Sequence, residues 1–208
     1  ANTSGGNNVA VGKESLKTNT IGAENISVGN ASLCANTEGL NNTAIGHLAL
    51  RQNTTADNNT AVGHDALKTN STGEKLVAIG ALALDANTTA DDNTAVGYCS
   101  LSTNTTGCRN VAMGCGSLKT NLTGDKNTAL GHIALEGNTS ADNNTAVGYA
   151  ALNVNSTGAS NVAVGLSALS ANTTASNNTA VGKDAMLLNQ TGATNTAVGQ
   201  NSLHSNTT

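Results

Sequence analysis

A glycine recurs every seventeen residues along almost the whole chain, and this period constrains the fold more than any other feature of the sequence. If positions are counted from four residues before that glycine, the repeat reads Asn-(Thr/Val)-Ala-(Val/Ile/Leu/Met)-Gly-x-x-(Ala/Ser)-Leu-x-x-Asn-Thr-Thr-(Gly/Ala)-x-x, and twelve units fit it without an insertion. A fixed period of this length is typical of solenoid proteins, in which each repeat packs only against its neighbours. The glycines at position five are Gly12, Gly29, Gly46, Gly63, Gly80, Gly97, Gly114, Gly131, Gly148, Gly165, Gly182 and Gly199.

The composition excludes a conventional globular core, because Phe, Trp and Pro are absent and only two Tyr occur among 208 residues. Each unit offers two short apolar segments, Thr-Ala-Val and Ala-Leu, which are too short for the apolar stripe of a helix. We therefore predict two short strands per unit, with each seventeen-residue coil pairing in parallel with the next. The predicted fold is all-β: a parallel β-solenoid, or β-roll, of twelve coils that forms a single domain over residues 1–208.

Asparagine occupies position twelve in all twelve units and position one in eleven, with Leu76 as the exception. Stacked coils place equal positions about 4.8 Å apart, so each column can form a ladder in which one side-chain amide donates to the next. We predict a structural ladder at position twelve. Its members are Asn19, Asn36, Asn53, Asn70, Asn87, Asn104, Asn121, Asn138, Asn155, Asn172, Asn189 and Asn206.

Positions three and four are both apolar in nearly every unit, although they point to opposite sides of an extended strand. One side can fill the interior of the coil, and the other then requires a partner. We therefore expect self-association. Both chain ends stop within a repeat and without an atypical capping coil, so we also expect a fragment of a longer fibre.

The charge and hydropathy patterns argue against nucleic acid and membrane as partners. The net charge is −4, and the nine Lys and Arg residues are scattered rather than arranged in a basic stripe, so nucleic acid is not a predicted partner. No run of about twenty apolar residues is present, and no signal-peptide pattern occurs at Ala1. Membrane insertion of this segment is therefore not predicted.

The motif Asn-Thr-Ala-Val-Gly-x-x-Ala-Leu resembles the Asn-x-Val-Ala-Ile-Gly-x-x-Ala head repeats of trimeric autotransporter adhesins, the YadA-like heads. The longer version that ends in Asn-Thr-Thr-Gly also resembles repeats of phage tail-fibre and bacterial surface-fibre proteins. The resemblance covers essentially all 208 residues. It implies a left-handed parallel β-roll wound as a homotrimer, an extracellular location on a cell surface or virion, and attachment to a host-surface glycan or protein.

Position six is the most variable position of the repeat, and it is the candidate surface-contact column because substitutions there disturb no ladder. Its ring-bearing members are His47, His64, Tyr98, His132 and Tyr149. The alternative is that this column is merely exposed. His47 and His64 lie one coil apart and could share a metal ion, but no carboxylate or cysteine pattern completes a ligand set, so no metal is predicted. We predict no catalytic residue, no cofactor and no enzyme activity.

Three further features have structural and functional alternatives. Cys99 and Cys115 lie sixteen residues apart, which permits a disulfide, although free small apolar side chains are favoured. The turn acids Asp57, Asp91 and Asp142 are interpreted as solvated rather than as calcium ligands. Asn-x-Ser/Thr triplets, for example at Asn53, leave glycosylation open.

An ice-binding solenoid is the alternative function, because it also stacks threonine at the strand spacing. Positions thirteen and fourteen supply a nearly continuous threonine rank, which is interrupted at Ile21, Glu38, Leu122 and Gln190. A surface that must match a lattice tolerates such interruptions poorly. A structural or adhesive fibre segment, acting as a rigid spacer or a repetitive binding surface, is therefore the preferred prediction.

Overall fold

The structure, a computed structural model, describes residues 2–207, and its regular secondary structure is one three-residue strand per coil, at positions two to four. The all-β solenoid of seventeen-residue coils is thereby confirmed. No helix in these residues is long and apolar enough to cross a membrane. The strands are β1 (Val9–Val11), β2 (Ile26–Val28), β3 (Thr43–Ile45), β4 (Thr60–Val62), β5 (Val77–Ile79), β6 (Thr94–Val96), β7 (Val111–Met113), β8 (Thr128–Leu130), β9 (Thr145–Val147), β10 (Val162–Val164), β11 (Thr179–Val181) and β12 (Thr196–Val198).

The chain forms two compact units, one up to Thr106 and the other from Gly107 onward. In the first unit, β1 to β6 pair in chain order and in parallel, and each residue pairs with its equivalent seventeen positions later, as Ala44 does with Ala61. Strands β7 to β12 pair in the same way within the second unit. The single domain over residues 1–208 stays a prediction.

The interior of each coil is a thin column rather than a broad core. Position three contributes an alanine and position nine contributes a leucine, and in the middle coils, as at Ala61 and Leu67, both are fully buried. Asparagines at positions one and twelve are buried beside them, as at Asn53 and Asn59. The interior is therefore partly polar, and its polar groups have to be satisfied by hydrogen bonds within the stack.

The prediction of a second strand at the Ala-Leu segment is wrong. Positions seven and nine have left-handed backbone conformations instead, with φ of 50° at Leu50 and 53° at Leu67. Contacts between coils continue through this segment, because the Leu50 N–H donates to the Ala66 carbonyl at 3.0 Å. A left-handed non-glycine residue costs about 1–3 kcal/mol, and burying a leucine side chain contributes about 1.5–3 kcal/mol. Burial of the leucine therefore offsets the backbone strain.

Position five requires glycine for two reasons. At Gly63 the backbone has a φ of 142°, and a Cβ atom there would lie 2.5 Å from the carbonyl oxygen of Gly80 in the next coil. Only a residue without a side chain fits both the conformation and the close approach of the two backbones.

Candidate functional site

The asparagines at position twelve form a ladder of side-chain amides through each of the two compact units. The Asn36 Nδ2 donates to Asn19 Oδ1 at 2.8 Å, and the Asn53 Nδ2 donates to Asn36 Oδ1 at 2.8 Å. Each Nδ2 also donates to the carbonyl three residues later, as Asn53 does to Ala56 at 3.0 Å. In the second unit the same bonds link Asn138 to Asn121 at 2.8 Å. These residues hold adjacent coils in register and face away from solvent.

The asparagines at position one make the predicted side-chain bonds in part, as where Asn127 Nδ2 donates to Asn110 Oδ1 at 3.2 Å, and they also bond to backbone groups. Asn42 Oδ1 accepts a hydrogen bond from the backbone N–H of Asn59 at 3.0 Å, and the Asn42 Nδ2 donates to the Ala56 carbonyl at 2.8 Å. The Ala56 carbonyl therefore receives the amides of both Asn42 and Asn53. Leu76 has no side-chain amide, so its side chain can neither accept a backbone N–H nor donate to a carbonyl at this position.

Two outer columns also carry bonds between coils. The Thr37 hydroxyl at position thirteen donates to the Thr54 carbonyl of the next coil at 3.1 Å. At position sixteen, Asp57 Oδ1 accepts the backbone N–H of Leu40 at 2.7 Å, and Asp91 and Asp142 make equivalent bonds. Asp91 and Asp142 are exposed to solvent, as the sequence predicts, and each of the three acids also links two coils through this bond.

The position-six column lies on the outside of the coils, and two pairs of its rings stack. His47 and His64 have ring centroids 5.1 Å apart and planes inclined by 25°. His132 and Tyr149 stack in the second unit at 5.5 Å and 19°. Tyr98 is likewise exposed, with 57% of its surface accessible to solvent. The column can thus present rings one coil apart to a ligand without any change in the interior.

A polar cluster forms beside the histidine stack. His64 Nδ1 lies 3.7 Å from Asp65 Oδ2, and Lys68 Nζ lies 3.2 Å from the same oxygen. One ligand atom from each of His47, His64 and Asp65 lies within 4.8 Å of the others. The sequence-based prediction of no ligand set for the two histidines omitted Asp65. The signal that could have found it is the spacing of i, i+17 and i+18, which places three ligating residues on two adjacent coils.

Asp85 lies near this cluster, at position ten of the following coil. Burial raises the pKa of the Asp85 carboxyl above its ordinary value of 3.8, because desolvation penalises the charged form. A backbone hydrogen bond lowers the pKa, the Asp65 carboxylate raises it, and the Lys68 ammonium lowers it. Two carboxylates and one ammonium therefore interact in this part of the surface.

The remaining candidates are structural in the described part of the chain. Among the described residues the cysteines form no disulfide, so no disulfide links Cys99 to Cys115. The side chain of Asn53 is fully buried in the ladder, which leaves no room for a glycan on this residue in the folded chain. No cavity opens within residues 2–207.

Stacked seventeen-residue coils, each with one parallel strand and an internal asparagine ladder, define the chain as a β-solenoid repeat protein. Comparison with protein-family models, curated proteins and solved structures gave no match. Any function must therefore be argued from the surfaces and side chains of the chain itself.

Proposed function

We propose that the chain is a structural and adhesive segment of an extracellular fibre, in which three copies associate along their strands. The observation that carries this proposal is an outer apolar row, which we define as the position-four residues of the strands. In the first unit the row consists of Val11, Val28, Ile45, Val62, Ile79 and Val96, and in the second of Met113, Leu130, Val147, Val164, Val181 and Val198.

The outer apolar row faces away from the coil interior, because the alanine between positions two and four points inward. Ile45 and Ile79 each expose 40% of their surface. Parallel sheets are normally covered on both faces, and a contiguous apolar surface of this kind is typical of interaction sites. The row therefore favours a partner that covers it.

A second copy of the chain is the partner that best fits this row. An aliphatic residue recurs with every coil, so a complementary surface needs the same spacing of about 4.8 Å, which another copy supplies. The number of three copies, the left-handed winding, the extracellular location and the role in attachment follow from the resemblance to adhesin heads and tail fibres. The position-six column, with His47, His64, Tyr98, His132 and Tyr149, is the proposed contact surface for a host glycan or protein.

Light scattering coupled to size-exclusion chromatography tests the association. We expect a particle of three times the 20.5 kDa chain mass, and we expect the double variant Ile45→Glu/Ile79→Glu to dissociate, because it places charge in the apolar row. The matched control is Thr55→Glu/Thr89→Glu, which changes exposed position-fourteen residues in the same two coils. A parent protein that is monomeric at all concentrations, or equal behaviour of both variants, would contradict the proposal.

Ice binding is the second candidate, and one specific observation favours it. Every position-fourteen side chain in the described range is exposed, and from Thr55 onward this column contains only Thr and Ser. The adjacent position-thirteen hydroxyls, however, donate to backbone carbonyls, as at Thr54, which leaves a single column where a lattice requires a two-dimensional array. Faceted ice crystals and thermal hysteresis that disappear on replacing Thr89 and Thr106 with bulky residues would support ice binding over the fibre.

A further inference from the structure

The buried carboxylate of Asp65 has an unusual environment for this chain. Asp65 exposes only 9% of its surface, and its Oδ1 has no hydrogen-bond partner. It is the one buried side-chain oxygen or nitrogen in the described residues that lacks a partner. A buried carboxylate oxygen without a donor is costly, because its hydration is lost without replacement. The site is therefore short of positive charge or of a donor.

The imidazoles of His47 and His64 lie close to this carboxylate. Position six and position seven follow each other in the chain, and the left-handed backbone at Asp65, with φ of 58°, keeps its side chain beside that of His64. The coil below adds His47, whose ring stacks on that of His64. The coil stack thus brings two nitrogen ligands and one oxygen ligand together without distorting the interior.

We propose that His47, His64 and Asp65 bind a transition-metal ion of the Zn²⁺ type. Imidazole ligands suit Zn²⁺, whereas Ca²⁺ and Mg²⁺ prefer oxygen ligands alone. Tetrahedral Zn²⁺ with bonds of about 2.0–2.1 Å needs ligand atoms about 3.3 Å apart. The three ligand atoms lie within 4.8 Å of one another, and rotation of the two exposed imidazoles can bring them closer. The fourth position faces solvent and takes water.

Lys68 is the resident competitor for this site. Its ammonium lies 3.2 Å from Asp65 Oδ2 and partly neutralises the carboxylate. A divalent ion must displace this ammonium or share the carboxylate with it, so removing the lysine charge should strengthen metal binding. This expectation separates a site that uses the Asp65 carboxylate from loose binding to surface histidines, because Lys68 contacts that carboxylate.

Calorimetric titration of the full chain with Zn²⁺ tests the proposal, and the visible spectrum of the Co²⁺ form reports the ligand type. We expect one equivalent to bind. His47→Ala, His64→Ala and Asp65→Asn should each weaken binding at least tenfold, at or above the lower end of the 10–100-fold losses known for second-shell changes. Lys68→Met should tighten binding by about threefold or more, since it removes a charge close to the ligand carboxylate. The Co²⁺ spectrum should lack a thiolate charge-transfer band.

Two matched variants control for general effects. Asp184→Asn changes a position-seven acid that lies 3.5 Å from Lys183 and has no histidine at position six of its own or the preceding coil. His132→Ala breaks the other stack of the column. Neither should change Zn²⁺ affinity. Position six already contains Ala81, so the alanine variants should fold, which circular dichroism checks. Unchanged binding in His64→Ala or Asp65→Asn, competition by Mg²⁺, or no binding by the parent would overturn the proposal.

Discussion

The asparagine ladder can be tested at Asn53, which lies in the middle of the first compact unit and is fully buried. Replacing Asn53 with Ala removes three hydrogen bonds: to Asn36 Oδ1 at 2.8 Å, to the Ala56 carbonyl at 3.0 Å, and from the Asn70 Nδ2 at 3.3 Å. Each bond contributes about 1 kcal/mol net, and a buried polar atom left without a partner costs about 1–3 kcal/mol.

The cost falls unequally on the three partners of Asn53. The Ala56 carbonyl keeps the amide of Asn42 at 2.8 Å, and the Asn70 Nδ2 keeps the Gly73 carbonyl at 2.8 Å. Asn36 Oδ1 loses the donor from the next coil, so it carries the orphaning cost. Adding three bonds and one orphaned acceptor gives a destabilisation of about 4–6 kcal/mol for Asn53→Ala. Asn206→Ala removes one bond, to Asn189 Oδ1 at 2.9 Å, and leaves that buried acceptor without a donor, so by the same accounting it should cost about 2–4 kcal/mol.

Native-state hydrogen exchange suits this measurement, because repeat proteins need not unfold in a single two-state step. Protection should fall most at the backbone amides of the coils that contain residues 36, 53 and 70. The exposed neighbour Gln52 provides the control, and Gln52→Ala should stay within about 0.5 kcal/mol of the parent. Asn53→Asp should be worse than Asn53→Ala at pH 7, because it buries a carboxylate against oxygen acceptors. If Asn53→Ala and Gln52→Ala had equal protection, the ladder would not stabilise the stack.

Three further changes probe the backbone, the charge cluster and the repeat. Gly63→Ala should lower the free energy of unfolding by about 3 kcal/mol or more, because the backbone at Gly63 is left-handed and a Cβ atom there would lie 2.5 Å from the Gly80 carbonyl oxygen. A denaturation midpoint equal to the parent's would contradict this. Because the Asp85 pKa is raised, its contribution to stability is full below 3.8 and is lost as pH rises through the folded-state pKa. Asp85→Asn should therefore raise the melting temperature at pH 7 and leave it unchanged at pH 3, and equal shifts would refute this. Deleting residues 59–92, which are two whole coils, should shorten the first compact unit by about 9–10 Å and leave it folded. Deleting only ten residues should disrupt the coil that loses them and its pairing with both neighbours, and equal melting curves for the two deletions would exclude the seventeen-residue coil.

The sequence predicts the repeat, the parallel pairing and the strand at positions two to four, because each of these follows from periodicity and side-chain type. It does not predict the path of the chain through positions seven and nine. Leucine disfavours a left-handed backbone, so its presence gives no local signal for the conformation at Leu50. That conformation is selected by the closed coil, in which burial of the side chain offsets the strain of the backbone.

The sequence analysis missed the carboxylate of the candidate metal site for the same reason, because it could not predict the left-handed backbone. Consecutive residues in an extended strand point to opposite sides, which would separate His64 from Asp65. The left-handed turn at Asp65 places the two side chains together instead. The backbone partners of the position-one asparagines were also beyond prediction, because the pattern that identifies a column of asparagines does not say whether each amide meets a side chain or a backbone group.

The second unit allows the metal site to be rebuilt, because the interior ladders keep each outer column independent of the others. His132 already stacks with Tyr149, and the following residue, Ala150, has a φ of 53° and is buried, as Asp65 is. The double variant Tyr149→His/Ala150→Asp therefore recreates the spacing of i, i+17 and i+18. Position ten of this coil is Asn153 rather than a lysine, so no ammonium competes.

In a His64→Ala background, this double variant should restore one equivalent of Zn²⁺ binding, with an affinity at least equal to that of the Lys68→Met protein. Tyr149→His alone supplies two imidazoles without the carboxylate and should bind at least about tenfold more weakly. Calorimetric titration of the two proteins decides between a site defined by three ligands and one defined by paired histidines. Equal affinities would refute the role assigned to the carboxylate at position seven in both units.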